Sequence, residues 1–234
     1  MIEVITGLPS NVNPIWGCQV LTAVNAKSPL ARKELNKILQ AELNPNGGID
    51  GQHFRVADKI VNTKNGHFPS IKHDANDPDI QAKPNGDVYV ANGELAEVLE
   101  IEEKNIIAKL SAPSRTIRIP RGKANQNQSD EEKEEDKTGT GCSWELGYAL
   151  STHKSQGSEW PVVIVMLDEY PGARIVCSRE WLYTAISRAK ERCVLIGQQQ
   201  TANAMCRNIA LGNRKTLLKE LILLEQAKLV LGEI

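Results

Sequence analysis

The sequence predicts an α/β fold: a parallel sheet with helices on both faces, interrupted by a small antiparallel β segment. Two continuous apolar runs, Gln19 to Val24 and Pro161 to Leu167, read as strands buried on both faces and are each followed by a helical pattern. From about Phe54 the texture changes to short β-type runs broken by Asn-Gly pairs at 65–66, 85–86 and 92–93, the pattern of a small barrel or antiparallel sheet. The last third returns to strand and helix in alternation.

Taken in order, Ser28-Pro29 opens a helix over Leu30 to Gln40. Leu35, Ile38, Leu39 and Leu43 keep the three-and-four spacing of one apolar face, and Asn44-Pro45-Asn46-Gly47-Gly48 stops it. The β-type runs are Phe54–Val56, Lys59–Val61, Val88–Val90, Leu95–Ile101, Ile106–Leu110 and Thr116–Ile119. Lys123 to Lys137 is rich in Asn, Gln and acidic residues, so it buries no apolar surface and repels itself; a mobile loop is expected. Beyond it a strand is expected around Tyr148–Ser151, then Pro161–Leu167, a helix over Arg179 to Lys190 and a strand at Cys193–Ile196. Residues 201 to 234 read as helical, with Leu217, Leu218, Leu221, Ile222, Leu224 and Leu229 supplying apolar faces.

Length and composition narrow the class. A chain of 234 residues holds one large core or two modest ones, and 41% hydrophobic with 24% charged residues is ordinary for a soluble protein. No apolar run approaches the roughly 20 residues that cross a bilayer, and the N-terminus has no secretory pattern, so a cytoplasmic protein without membrane contact is expected. The five cysteines are odd in number and never spaced Cys-x-x-Cys, which argues against a disulfide framework or a zinc site. A net charge of -1 gives no overall attraction for polyanions, so any nucleic-acid contact must be local.

Two segments carry chemistry. Ser151-Thr152-His153-Lys154-Ser155-Gln156-Gly157-Ser158-Glu159-Trp160 is a polar stretch between two buried strands, where α/β sheets present loops to ligands. Trp181 to Lys190 reads as a helix with Leu182, Ala185, Ile186 and Ala189 as its stripe. Thr184 and Arg188 lie one turn apart on its flank, which places a permanently charged guanidinium beside the core. A lone helical arginine is more often a surface ion pair; its position downstream of the first segment changes that reading.

Together these segments resemble motifs V and VI of superfamily 1 helicases, in wording close to the RecD-like, exodeoxyribonuclease V alpha-type branch. Gln19-Val20-Leu21-Thr22 with Leu43-Asn44-Pro45 resembles the motif IV region. Phe54 to Lys59 with Asn92-Gly93-Glu94 resembles the inserted SH3-like barrel, and Asn213 to Leu218 the C-terminal helix. The resemblance implies a second RecA-like domain formed by 1–50 and 141–234, an SH3-like β-barrel at 51–120 and an acidic loop at 121–140. It further implies that Arg188 stabilises a γ-phosphate, that Gln156, Gly157 and Glu159 lie near the nucleotide, and that Ser151, Thr152, His153 and Lys154 line a single-stranded DNA track. Roles in DNA repair and recombination are implied on the same footing.

Departures from the family pattern limit what the chain does alone. No G-x-x-x-x-G-K-[ST] phosphate loop occurs; Gly212 to Thr216 has similar letters without its glycine spacing or preceding strand. Asp168-Glu169 after an apolar strand resembles a magnesium-binding acid pair, but it follows motif V, where the family has an ordinary core strand, and no residue is assigned to a metal. Ala23 stands where related helicases carry a nucleotide-contacting arginine, leaving Lys27 as the nearest basic substitute, and Ala96 stands where a turn usually has a second glycine. The expectation is the C-terminal half of an ATP-dependent DNA helicase, inactive alone, using ATP and Mg2+ only once an N-terminal RecA-like domain supplies the phosphate loop. The alternative is a non-enzymatic single-stranded DNA-binding or adaptor module.

Overall fold

The structure is a computed structural model that describes residues 1–45, 53–71, 86–121, 143–210 and 217–231. Its first elements are α1 (Ile2–Thr6), β1 (Cys18–Thr22) and α2 (Arg32–Leu43), then β2 (Lys59–Asn62), β3 (Gly66–Pro69), β4 (Asp87–Val90), β5 (Leu95–Ile101), β6 (Asn105–Ser111) and β7 (Ser114–Pro120). There follow β8 (Trp144–Leu146), β9 (Ala149–Ser151), β10 (Trp160–Met166), α3 (Pro171–Val176), α4 (Arg179–Ile186), β11 (Ala189–Ile196), α5 (Gln199–Arg207) and α6 (Leu218–Leu231).

Four strands pair in the order β11-β10-β1-β9, and every pairing is parallel. Alternation along the central strands explains why they are apolar throughout. Val20, Val162, Ile164 and Met166 enter one core, while Leu21, Val163, Val165 and Leu167 enter the other. The edge strand β9 has only three residues and is closed by α2: the Asn36 side-chain amide donates to Ala149 O at 3.0 Å, and its oxygen accepts from Ala149 N at 2.8 Å. A buried sheet edge is thereby satisfied by one side chain.

The antiparallel sheet runs β7-β6-β5-β2-β8, and the β3–β4 hairpin joins it through a bridge between Ser70 and Ile117. Its strand β8 comes from beyond the acidic segment. One apolar core runs without a break from Val20, Leu35 and Leu39 to Ile60, Val98 and Ile117, so the two sheets are packed as one body. Two buried residues pin the junction. Asp58, 0% exposed, accepts from Gln40 of α2, from Asn44 just beyond its end, from Arg55 N at 2.7 Å and from the Tyr148 hydroxyl at 2.8 Å. Burial first, then Asp58, holds the Tyr148 phenol well above its usual value. Lys59, also 0% exposed, donates to Ile15 O at 2.8 Å and Cys18 O at 3.4 Å, its ammonium 5.4 Å from the Trp16 ring centroid and 5.9 Å from that of Trp160.

Several expectations are corrected. The helix expected to reach Lys190 ends at Ile186, because Ala189 pairs with Trp160 and the backbone must extend to enter the sheet. Arg188 therefore lies on a turn between helix and strand. Phe54–Val56 is a turn rather than a strand, drawn together by the Asp58 carboxylate and by Arg55, whose guanidinium donates to Asn44 O at 2.7 Å. Strands β3 and β8 are additional to the expected ones. Ile38 is 46% exposed instead of joining the α2 core, and Leu217, Leu218, Leu221, Ile222 and Leu224 are exposed on and beside α6 instead of packed. The glycine-rich stop at 46–48, Asn85, the acidic run at 123–137, Cys142, the 213–216 segment and the Leu229 side chain lie outside the described residues. Of the other cysteines, Cys18 and Cys177 are buried, Cys193 is half-buried and Cys206 is exposed, all as free thiols.

Candidate functional site

The polar stretch after β9 is wound into successive tight turns. Lys154 N and Ser155 N donate to Ser151 O at 2.9 and 3.2 Å, Gln156 N to His153 O at 3.4 Å and Ser158 N to Ser155 O at 3.1 Å. The fully buried Ser155 adds a hydroxyl bond to Thr152 O at 2.8 Å. Gly157 has φ +84, a backbone state that side-chain-bearing residues rarely adopt, and it lets the chain reverse toward β10. Of the four residues expected on a DNA track, Ser151 and Thr152 are buried, His153 is exposed and Lys154 is partly exposed. Of these, His153 faces solvent, while Lys154 is paired with Glu145 at 4.0 Å.

The loop ends beside the arginine. Arg188 Nη1 donates to Ser158 O at 3.4 Å, Nε to Thr184 O at 3.1 Å and Nη2 to Ser187 Oγ at 3.1 Å. Trp160 N donates to Arg188 O at 3.0 Å, which anchors the same turn through its backbone. Glu159 lies next to this cluster and pairs with Lys190 at 3.6 Å; both are more than half exposed, so the pair adds little stability. Residues thirty apart in sequence are thus assembled at the N-terminal ends of β10 and β11.

Lys27 is placed elsewhere. It is exposed, with φ 70, on the loop after β1. Because β1, β10 and β11 are parallel and in register, that loop leaves the opposite ends of the strands from Arg188. At roughly 3.3 Å per residue, the length of β10 puts about 20 Å between those ends. Lys27 is therefore not part of the Arg188 cluster.

Two open clefts border the loop. One, of about 220 Å³, lies between the loop and α4 and is lined by Thr152, His153, Gln156, Ser178, Trp181 and Thr184. The other, of about 240 Å³, lies between the loop and two turns of the antiparallel sheet, with Asn92, Gly93, Glu94, Lys154, Gly157 and Ser158 among its walls. Gly93, at φ +93, approaches so closely that a Cβ there would stand 3.2 Å from Lys154 O. The inserted sheet therefore touches the backbone of the candidate track directly.

Sequence reasoning missed Arg32 and Glu145. Arg32 Nη2 lies 2.6 Å from Glu145 Oε2, and Lys154 Nζ lies 4.0 Å from the same oxygen, so one β8 carboxylate holds the first residue of α2 and a loop lysine. Arg32 also donates to Asn25 Oδ1 at 3.0 Å. No local spacing signals such a group, because its members are brought together by sheet pairing. Among the described residues, no three His, Cys, Asp or Glu side chains converge on a possible metal position.

The parallel sheet, with the loop after β9 and the arginine turn at its strand ends, defines an α/β domain, and comparison with known proteins adds the following likenesses. Residues 146–196 match the UvrD-like helicase C-terminal domain family. It is 30% identical over 177 residues to the ATP-dependent RecD2 DNA helicase of Deinococcus radiodurans, a match covering 74% of this chain and 19% of that protein. It is also 43% identical over 77 residues to the uncharacterized protein MJ1519 of Methanocaldococcus jannaschii, covering 32% of this chain and 6% of that one. The chain thus spans less than a fifth of the length of these curated relatives. Among solved structures, a Bacteroides Pif1 helicase in complex with ADP-AlF3 and ssDNA aligns with 97% of this chain and 48% of its own, with a TM-score of 0.47 and 16% identity. The Pif1 helicase from Candida albicans aligns with 86% of this chain and 50% of its own, with a TM-score of 0.46 and 15% identity. No helix among the described residues is long and apolar enough to cross a membrane.

Proposed function

We propose that the chain supplies motifs IV to VI of an ATP-dependent, RecD-like DNA helicase: one arginine for the nucleotide and part of the path for single-stranded DNA. On this reading 1–50 and 141–234 form the second RecA-like domain. Residues 51–120 form an inserted SH3-like barrel, to which β8 is added. The observation that carries the reading is the junction of Arg188 with Ser158 and Trp160, which supports treating the loop and the arginine turn as one unit.

Arg188 spends its donors on two carbonyls and a hydroxyl, all neutral acceptors. Phosphate oxygens presented by another domain would replace them with charge-assisted bonds, which are roughly twice as strong. Gln156, Gly157 and Glu159 would border the same nucleotide, and Lys27 would not. ATP and Mg2+ need a phosphate loop, which the 234 residues lack, so they belong to the complete helicase, with the N-terminal RecA-like domain as the partner holding them. What this chain's residues do is bind and orient: Arg188 at the phosphate, His153 and Lys154 at the DNA backbone.

The test is reconstitution. The chain alone is expected to show no DNA-dependent ATP hydrolysis, and mixing or fusing it with a RecD-like N-terminal domain should restore it. Arg188→Ala should then lower turnover by about 10³-fold or more. Turnover by the chain alone, or an unaffected Arg188→Ala, would overturn the reading.

A further inference from the structure

A cavity of about 240 Å³ opens at the start of α2, away from the arginine turn, lined by Arg32, Lys33, Asn36, Lys37, His53 and Glu145 among others. Its lining sets Arg32, Lys33 and Lys37 against Glu34 and Glu145, a small cationic excess in a chain whose net charge is -1. Glu145 is engaged by Arg32 and Lys154, and Glu34 by Lys37 at 3.1 Å. Lys33 has no acidic partner among the described residues, and Lys37 is 65% exposed, its pairing with Glu34 weak in water. The same carboxylate that floors the cavity also holds Lys154 of the loop after β9, so the two are contiguous.

We propose that Lys33, Lys37 and His53 form a phosphate-binding subsite that continues the single-stranded DNA path from Lys154 across the first turn of α2 to the base of the inserted sheet. The inference rests on the DNA reading of Lys154 and extends it to residues that the helicase motifs do not include. Two ammonium groups and an imidazole around an open cavity suit backbone phosphates, and the aliphatic stems of the lysines leave room for a sugar. Arg32 is a positioning residue here. Held at 4% exposure by Glu145 and Asn25, it fixes Glu145 between the cavity and Lys154. A path of this kind supplies the local positive charge that the whole-chain balance lacks.

The experiment measures binding of a fluorescent oligothymidylate to the full chain as a function of salt, for the unmodified protein, Lys33→Ala, the Lys33→Ala/Lys37→Ala pair, Lys154→Ala, and Lys104→Ala as a control on a distant hairpin. The double variant is expected to weaken binding about tenfold at low salt and to reduce the slope of log K against log salt by roughly one to two, as for lost phosphate contacts. Lys104→Ala should change neither. Because both lysines lie at the surface, unfolding curves matching the unmodified protein will show that the variants fold. A double variant that binds as well as the unmodified chain, while Lys154→Ala binds weakly, would overturn the subsite and leave the DNA reading standing. Absence of binding by the unmodified chain at low salt would overturn both. Inorganic phosphate serves as a second probe. Saturable binding of it that Lys33→Ala abolishes, with oligonucleotide affinity unchanged, would make the cavity a free-anion site and overturn the proposal.

Discussion

Replacing Lys59 by methionine should change how the stability of this protein depends on pH. The ammonium is fully buried, and burial pushes its pKa down from 10.5 to about 7, with the Cys18 thiol the one titratable group acting against that shift. Burial in turn pushes Cys18 up to about 11, with Lys59 opposing it. Between pH 7 and 10.5 the unfolded chain keeps the Lys59 proton while the folded chain has released it, so this residue makes stability rise with pH and the gain is lost as pH falls to 7. Each unit is worth about 1.4 kcal/mol, so from pH 7 to 9 the contribution is on the order of 2 to 3 kcal/mol. Below pH 7 both states are charged and the contribution is flat. Lys59→Met removes the titration while keeping an unbranched apolar stem against Trp16 and Trp160. Urea unfolding of both proteins at pH 6, 7, 8 and 9 gives the difference in stability directly. The range stops at 9 because above it the unfolded chain ionises Cys18, which acts in the opposite direction. The difference should move by about 2 to 3 kcal/mol in favour of the unmodified protein between pH 6 and 9. A difference constant to within about 0.5 kcal/mol would refute the argument, since the ammonium would then be losing no hydration on folding.

Three further outcomes follow from buried polar bonds and one backbone. Asn36→Ala leaves both the N–H and C=O of Ala149 without their side-chain partner, and should cost about 2 to 4 kcal/mol in the midpoint of chemical unfolding. Asp58→Ala strands donors from Gln40, Asn44, Arg55 and Tyr148; a loss of about 3 to 5 kcal/mol is expected, along with a return of the Tyr148 phenol toward its ordinary pKa in a spectrophotometric titration. Gly93→Val combines an unfavourable φ of +93 with contact against Lys154 O, and should destabilise by about 1 to 3 kcal/mol while raising amide exchange in the 152–158 loop.

The comparison of sequence with structure turns on where the information lies. Continuous apolar runs told of a two-faced sheet, because residues feeding separate cores on alternate sides must all be apolar, and Val162 to Leu167 divides between the two cores in just that way. The Asn92-Gly93 turn and the strands around it were legible for a similar reason, since local backbone chemistry fixes them. The end of the helix before Arg188 was not. Leu182, Ala185, Ile186 and Ala189 keep helical spacing, and only the pairing of Ala189 with Trp160 takes the last of these into a strand.

By itself, then, the amino-acid sequence determined the α/β class, the polar loop between two buried strands and the presence of an arginine downstream, because these depend on residue type and short-range order. The tertiary structure decided which of those residues meet. Parallel strand direction put Arg188 with Ser158 and sent Lys27 to the far ends of the strands, and burial withdrew Ser151 and Thr152 while leaving His153 exposed and Lys154 partly so. It also placed Glu145 between Lys154 and Arg32, the latter over a hundred positions from both, a grouping that no local pattern encodes. Sheet register, a property of long-range pairing, selects such partners, and sequence spacing carries no record of it.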